Sequence, residues 1–206
     1  MKILIVGATG TIGKEIAHQA TTKGHEVISA SRNSEPPLNI EDPSSIEDFF
    51  GQMEAVDVII CAAGAASFGR LANQSLDDIM VGINSKLLGQ VNLVRMGLDK
   101  LKPHGKILLT GGMLAHSPWP ETSNVAMVNA GLEGFVKGVA LELEKGQKIA
   151  IVHPPLIKET AEMMGMDTSP WPYASQVAES YIKALSTDLE KNVLYVSSFQ
   201  PDELVG

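Results

Sequence analysis

A single α/β domain built on a doubly wound parallel sheet is the fold this sequence predicts, and three observations predict it. Short apolar runs recur along the 206 residues, each followed by a polar stretch of helical periodicity. Runs such as Ile3-Leu4-Ile5-Val6 and Val56-Asp57-Val58-Ile59-Ile60 are nearly continuous rather than alternating, which marks strands covered on both faces. No low-complexity linker, charge block or fold-scale repeat divides the chain, and its length suits one domain over 1–206.

In chain order, strands are expected at Lys2–Val6, Glu26–Ala30, Val56–Cys61, Lys106–Thr110, Ile149–Val152 and Val193–Val196. A further short strand is expected in the loop punctuated by Pro36-Pro37 and Asp42-Pro43. Helices are expected at Gly13–Lys23, Ser44–Glu54, Leu76–Leu101, Asn124–Lys145 and Ala174–Leu185, with a substrate loop or lid over about 156–180. This alternation implies right-handed βαβ units and a central parallel sheet.

Hydrophobic residues at 44% and charged residues at 19% fit a globular protein and exclude a disordered one. A formal net charge of −8 argues against nucleic acid and acidic membrane surfaces as partners. One cysteine, Cys61, excludes an internal disulfide framework. The run after Lys2 is too short for a signal segment, and no stretch reaches the length of a membrane span. A soluble, cytoplasmic protein is therefore expected. Five scattered histidines and no Cys/His cluster predict no metal site.

The sharpest motif is Gly7-Ala8-Thr9-Gly10-Thr11-Ile12-Gly13, placed between the first strand and the first helix. Gly7 permits the tight turn, Gly10 lets backbone approach a pyrophosphate, and Gly13 lets helix and sheet pack closely. The positive end of the helix then faces the phosphates of a dinucleotide, with Thr9, Thr11 and Ile12 in the same loop. The Rossmann pattern for NAD would put an acid at the end of the second strand, but Ser29-Ala30-Ser31-Arg32-Asn33 has none. Arg32 can pair with a 2′-phosphate and Ser31 can donate to it, so NADP(H) is expected over NAD(H).

With these residues the chain resembles the short-chain dehydrogenase/reductase family, from Met1 to about Thr160. Gly7-x-x-Gly10-x-x-Gly13 is similar to its cofactor loop, and Cys61-Ala62-Ala63-Gly64 to its Asn-Asn-Ala-Gly segment along the adenosine. The resemblance implies that Asn39-Ile40 lie beside the adenine. It likewise implies that Pro154, in His153-Pro154-Pro155, lies near the nicotinamide, and that Asn84 supports the proton relay. It also implies a catalytic Ser, Tyr and Lys, but those positions carry Gly112, Val125 and Asn129 here. The three tyrosines, Tyr173, Tyr181 and Tyr195, are followed four residues on by Val177, Leu185 and Phe199, so no Tyr-x-x-x-Lys exists.

Thr110, His116 and His153 are the remaining polar candidates for acid–base chemistry, at or just after strand ends. The sequence Ser-Pro-Trp-Pro occurs twice, at 117–120 and 169–172, and holds the only two tryptophans. Trp119 and Trp171 are expected to wall an apolar pocket, with Met163 and Met164 in a flexible lid. Ala126, Ala130, Gly134 and Gly138 give one helix a smooth face, and a homodimer is expected there. The function expected is an NADP-dependent oxidoreductase with a divergent proton relay, acting on a small apolar substrate. The alternative is a non-catalytic NADP(H)-binding sensor or interaction module.

Overall fold

A computed structural model describes residues 1–197 and 199. Its elements are β1 (Lys2–Val6), α1 (Thr11–Thr22), β2 (Glu26–Ala30), α2 (Pro43–Gly51), β3 (Val56–Cys61), α3 (Leu76–Gly82) and α4 (Gly89–Gly97). They continue with β4 (Leu101–Thr110), α5 (Ser123–Val139), β5 (Lys148–His153), α6 (Lys158–Met163), α7 (Ala174–Ser186) and β6 (Val193–Tyr195). The strands form one six-stranded sheet in the order β2-β1-β3-β4-β5-β6, parallel throughout. This is the doubly wound Rossmann-type arrangement, and its order reverses between β1 and β3, where such sheets bind ligands.

The continuous apolar runs serve two cores at once. Ile3 and Ile5 of β1 join Ile60, Leu108 and Val152 under α1 and α7, where Ile16, Val177 and Tyr181 pack. Leu4 and Val6 point the other way, joining Ile59, Leu109 and Ile151 beneath α2, α4 and α5 with Phe49, Leu93 and Leu132. Alternate side chains leave opposite faces of a strand, so both faces had to be apolar.

Three expectations fail locally. The short strand near Leu38 does not form. Pro36 and Pro37 offer no N–H to a sheet, the Leu38 N–H returns to the Ser31 carbonyl (2.8 Å), and the Asn39 N–H goes to Ser45 Oγ (3.0 Å). The long helix from Leu76 to Leu101 is broken: a π-helical segment, Ile83–Leu88, separates α3 from α4. Leu101 pairs with Val56 as the first residue of β4, and Lys106 pairs with Val58, so Lys102–Gly105 interrupt the register. Helix α5 ends at Val139 rather than Lys145, and the loop after β5 contains the short helix α6.

Candidate active site

The glycine loop is fixed by space. Gly7 has φ +85°, and a Cβ there would lie 2.8 Å from the Ala63 nitrogen. A Cβ on Gly13 would lie 2.0 Å from the Gly7 carbonyl oxygen, so only glycine lets α1 start this close to β1. Gly10 precedes helix α1 as its N-cap and offers no side-chain cap. Its first N–H groups, at Thr11, Ile12 and Gly13, have no acceptor within the helix, which leaves an anion cradle at the carboxyl end of β1. The residues present fit a dinucleotide pyrophosphate. Ser31 and the exposed Arg32 follow β2 directly. Ile40 is buried, its side chain packed against Gly89.

From this loop a cleft of about 730 Å³ runs across the ends of the strands, lined among others by Ile12, Ala62, Gly64, Gly111, Pro154 and Leu156. Trp119 and Trp171 both line it, their ring centroids 6.1 Å apart. Lys86 and His116 are the titratable side chains on its wall, apart from the tryptophan-bearing loops. Lys86 sits within the π-helical segment, its stem against Gly64, whose added Cβ would lie 3.0 Å from Lys86 Cα. Its Nζ donates to the Gly111 carbonyl at 2.8 Å. Burial pushes the ammonium down to about 8, within reach of proton transfer at neutral pH.

The enoyl-(acyl carrier protein) reductase family matches residues 7–190. The chain is 26% identical over 178 residues to the 3-oxoacyl-(acyl-carrier-protein) reductase FabG of Escherichia coli, which spans 75% of this chain and 72% of that protein. It is 32% identical to the protein lin1944 from Listeria innocua, with a TM-score of 0.85 over 95% of this chain and 99% of that one. A small-chain dehydrogenase solved in complex with NADPH is 26% identical, with a TM-score of 0.87 over 100% of this chain and 99% of that one. The chain belongs to the short-chain dehydrogenase/reductase family.

By the correspondence drawn from the sequence, the family's Ser, Tyr and Lys positions fall at Gly112, Val125 and Asn129, and all three line the cleft. The first and last are coupled in space. A Cβ on Gly112 would lie 2.7 Å from Asn129 Nδ2, so a serine there requires the asparagine to move. Asn129 is 1% exposed, and its Oδ1 has no hydrogen-bond partner among the described residues. Ser117 Oγ, also on the cleft wall, is buried and unpartnered in the same sense. Asn84 is exposed and does not line the cleft; the π-helical segment brings Lys86 to it instead.

The other candidates divide. Thr110 reaches the cleft wall, but its hydroxyl donates to the Cys61 carbonyl at 2.6 Å and contacts the Tyr181 hydroxyl at 2.7 Å. Its hydroxyl hydrogen is thus engaged with the core rather than turned to the cleft. His153 is fully buried and turned beneath Gly111, where an added Cβ would lie 2.6 Å from its Cε1. Burial holds its ring down to about 4, so it is neutral and outside the cleft rather than a proton donor in it. Met163 and Met164 end α6 with Ala161 as its buried contact, leaving both methionines exposed and off the cleft wall. His116 keeps its place on that wall, its Nε2 2.8 Å from Glu133 Oε2. Two residues escaped the sequence reading: Lys86, whose facing depends on a non-α turn, and Glu133, a lone acid on the buried face of an apolar helix.

Proposed function

We propose that this protein is an NADP(H)-dependent oxidoreductase for a small apolar carbonyl or alcohol, with Lys86 supplying the proton that a tyrosine supplies elsewhere in the family. The carrying observation is the ammonium of Lys86, half-buried on the wall of a cleft that opens from the glycine loop and is otherwise largely apolar. NADPH, when bound, is the hydride donor. Lys86 releases a proton from Nζ to the carbonyl oxygen as the carbonyl carbon gains hydride, giving the alcohol, and recovers a proton from water. The Gly111 carbonyl keeps the ammonium aimed into the cleft. Trp119 and Trp171 exclude water from an apolar substrate, while Asn129 Oδ1 and Ser117 Oγ offer hydrogen bonds to hydroxyl or amide groups of the ligands. Arg32 and Ser31 favour the 2′-phosphate of NADP(H), and a relative 26% identical has been solved with NADPH.

A second reading is supported by the committed hydroxyl of Thr110 and by Val125 at the tyrosine position: a protein that binds NADP(H) and reports its state without turnover. One experiment separates the two. The protein is titrated with NADPH and NADH, then assayed for NADPH oxidation with aldehydes, ketones and quinones. Turnover lost in Lys86→Met supports the reductase; tight NADPH binding without turnover on any class supports the sensor. A symmetric dimer is proposed through α5, whose Ala130, Gly134 and Gly138 are exposed, with open space around any Cβ added at Gly134 or Gly138. Sedimentation as a monomer at micromolar concentration would remove it.

A further inference from the structure

We propose that His116, Glu133 and His153 form a site for one divalent transition-metal cation of the zinc class. The three residues come from three elements: the loop after β4, the middle of α5 and the last residue of β5. His116 Nε2 lies 2.8 Å and His153 Nε2 3.1 Å from the same oxygen, Glu133 Oε2, and all three atoms lie within 4.8 Å of one another. Donors bound to zinc at about 2.0–2.1 Å in a tetrahedron are about 3.3 Å apart, so small shifts of the side chains would seat an ion.

Two of the three candidate ligands are held from behind, as outer-sphere partners hold them in metal sites. His153 Nδ1 sits 2.9 Å from the Gly112 carbonyl and 3.0 Å from the Gly112 nitrogen, which anchors the ring and turns Nε2 towards Glu133. Lys137 binds Glu133 Oε1 and leaves Oε2 turned inward. Glu133 Oε2 and His153 Nε2 are buried and have no hydrogen-bond partner among the described residues. Two imidazole nitrogens converge on one buried carboxylate oxygen, and a cation would be held by all three in place of a shared proton. The exposed edge of His116 opens on the cleft and gives an ion its entry path.

Two imidazoles and one carboxylate select zinc, nickel or cobalt over magnesium and calcium, which take oxygen donors. Ser117-Pro118-Trp119 follow His116 directly, so the ion would tie the Trp119 wall of the cleft to α5 and β5. This inference is independent of whether the protein turns substrate over.

The full chain is stripped with EDTA, dialysed and titrated with ZnCl2 at neutral pH by calorimetry and by competition with a chromophoric chelator. CoCl2 then replaces zinc for visible spectroscopy. One zinc per chain is expected, undisturbed by excess MgCl2, with tetrahedral cobalt bands. Glu133→Gln and His116→Ala should each weaken zinc by about a hundredfold or more and abolish the cobalt bands. His116 is exposed, so its variant keeps the test sound if Glu133→Gln fails to fold, with circular dichroism as the check on both. Absence of stoichiometric zinc in the wild-type chain would overturn the proposal. So would zinc binding of equal strength in folded His116→Ala, which would mean that other histidines hold the ion.

Discussion

The Gly7–Gly13 end of the site and the Gly111–Asn129 wall face the same cleft, yet they are specified in different ways. At the glycine loop, backbone meets backbone: a Cβ at Gly13 would sit 2.0 Å from a carbonyl oxygen, and the ligand groups are N–H groups at a helix start. At the opposite wall the polar groups are side chains, packed against one another as the Asn129 amide packs against Gly112. A site made of backbone tolerates almost no variation and announces itself by glycines. A site made of side chains depends on rotamers and neighbours as well as on the fold.

The largest effect expected from breaking this contrast is on the side-chain wall. Lys86→Met should lower NADPH-dependent reduction by about 10²–10⁴-fold while leaving NADPH affinity unchanged in a fluorescence titration. The wild-type rate carries a signature of the same group. The ammonium form is the acid and burial places its transition at about 8, so the rate of reduction should fall as pH rises through that value. A rate that stays flat between about pH 7 and pH 9 would remove Lys86 from the proton step.

At the backbone end, Gly13→Ala should cost about 3 kcal/mol or more of stability and abolish NADPH binding, because the clash is with a carbonyl rather than a movable side chain. Gly51→Ala, at the end of α2 where an added Cβ meets nothing within 4 Å, should leave the melting temperature unchanged or slightly raised. Arg32→Ala should be milder. Loss of a charged hydrogen bond to the 2′-phosphate, about 1.5–3 kcal/mol, should cut the preference for NADPH over NADH by roughly ten- to a hundredfold. Smallest is Trp119→Ala, expected to raise KM for apolar substrates about tenfold with kcat little altered. An equal loss in kcat would mean that the indole positions the reacting atoms.

The same division decides what was legible in the sequence. Burial on both faces makes strands continuous and apolar, so β1, β3 and β5 were readable from residues such as Ile3–Val6 and Ile149–Val152. A short strand was expected in the loop around Leu38, but Pro36 and Pro37 removed the donors a strand needs, and Leu38 and Ile40 fill the core without joining the sheet. Trp119 and Trp171 met because repeated proline-flanked loops project from the same edge of the sheet. His116 and His153 were each visible alone, but nothing in their spacing reveals that Glu133 lies between them; a carboxylate amid Leu132, Gly134 and Val136 was the available sign. Lys86 was hidden for a different reason: helical periodicity assumes 3.6 residues per turn, and the segment that carries it does not obey that period.

That segment has a consequence for how relatives of this chain are compared. The π-helical turn of Ile83–Leu88 departs from the α-helical period, so which side chains look inward along it does not follow from sequence spacing. Column by column, Asn84 inherits the catalytic label of its family while facing solvent, and Lys86 inherits none while facing the cleft. Along this segment, roles are better carried over by three-dimensional facing than by column.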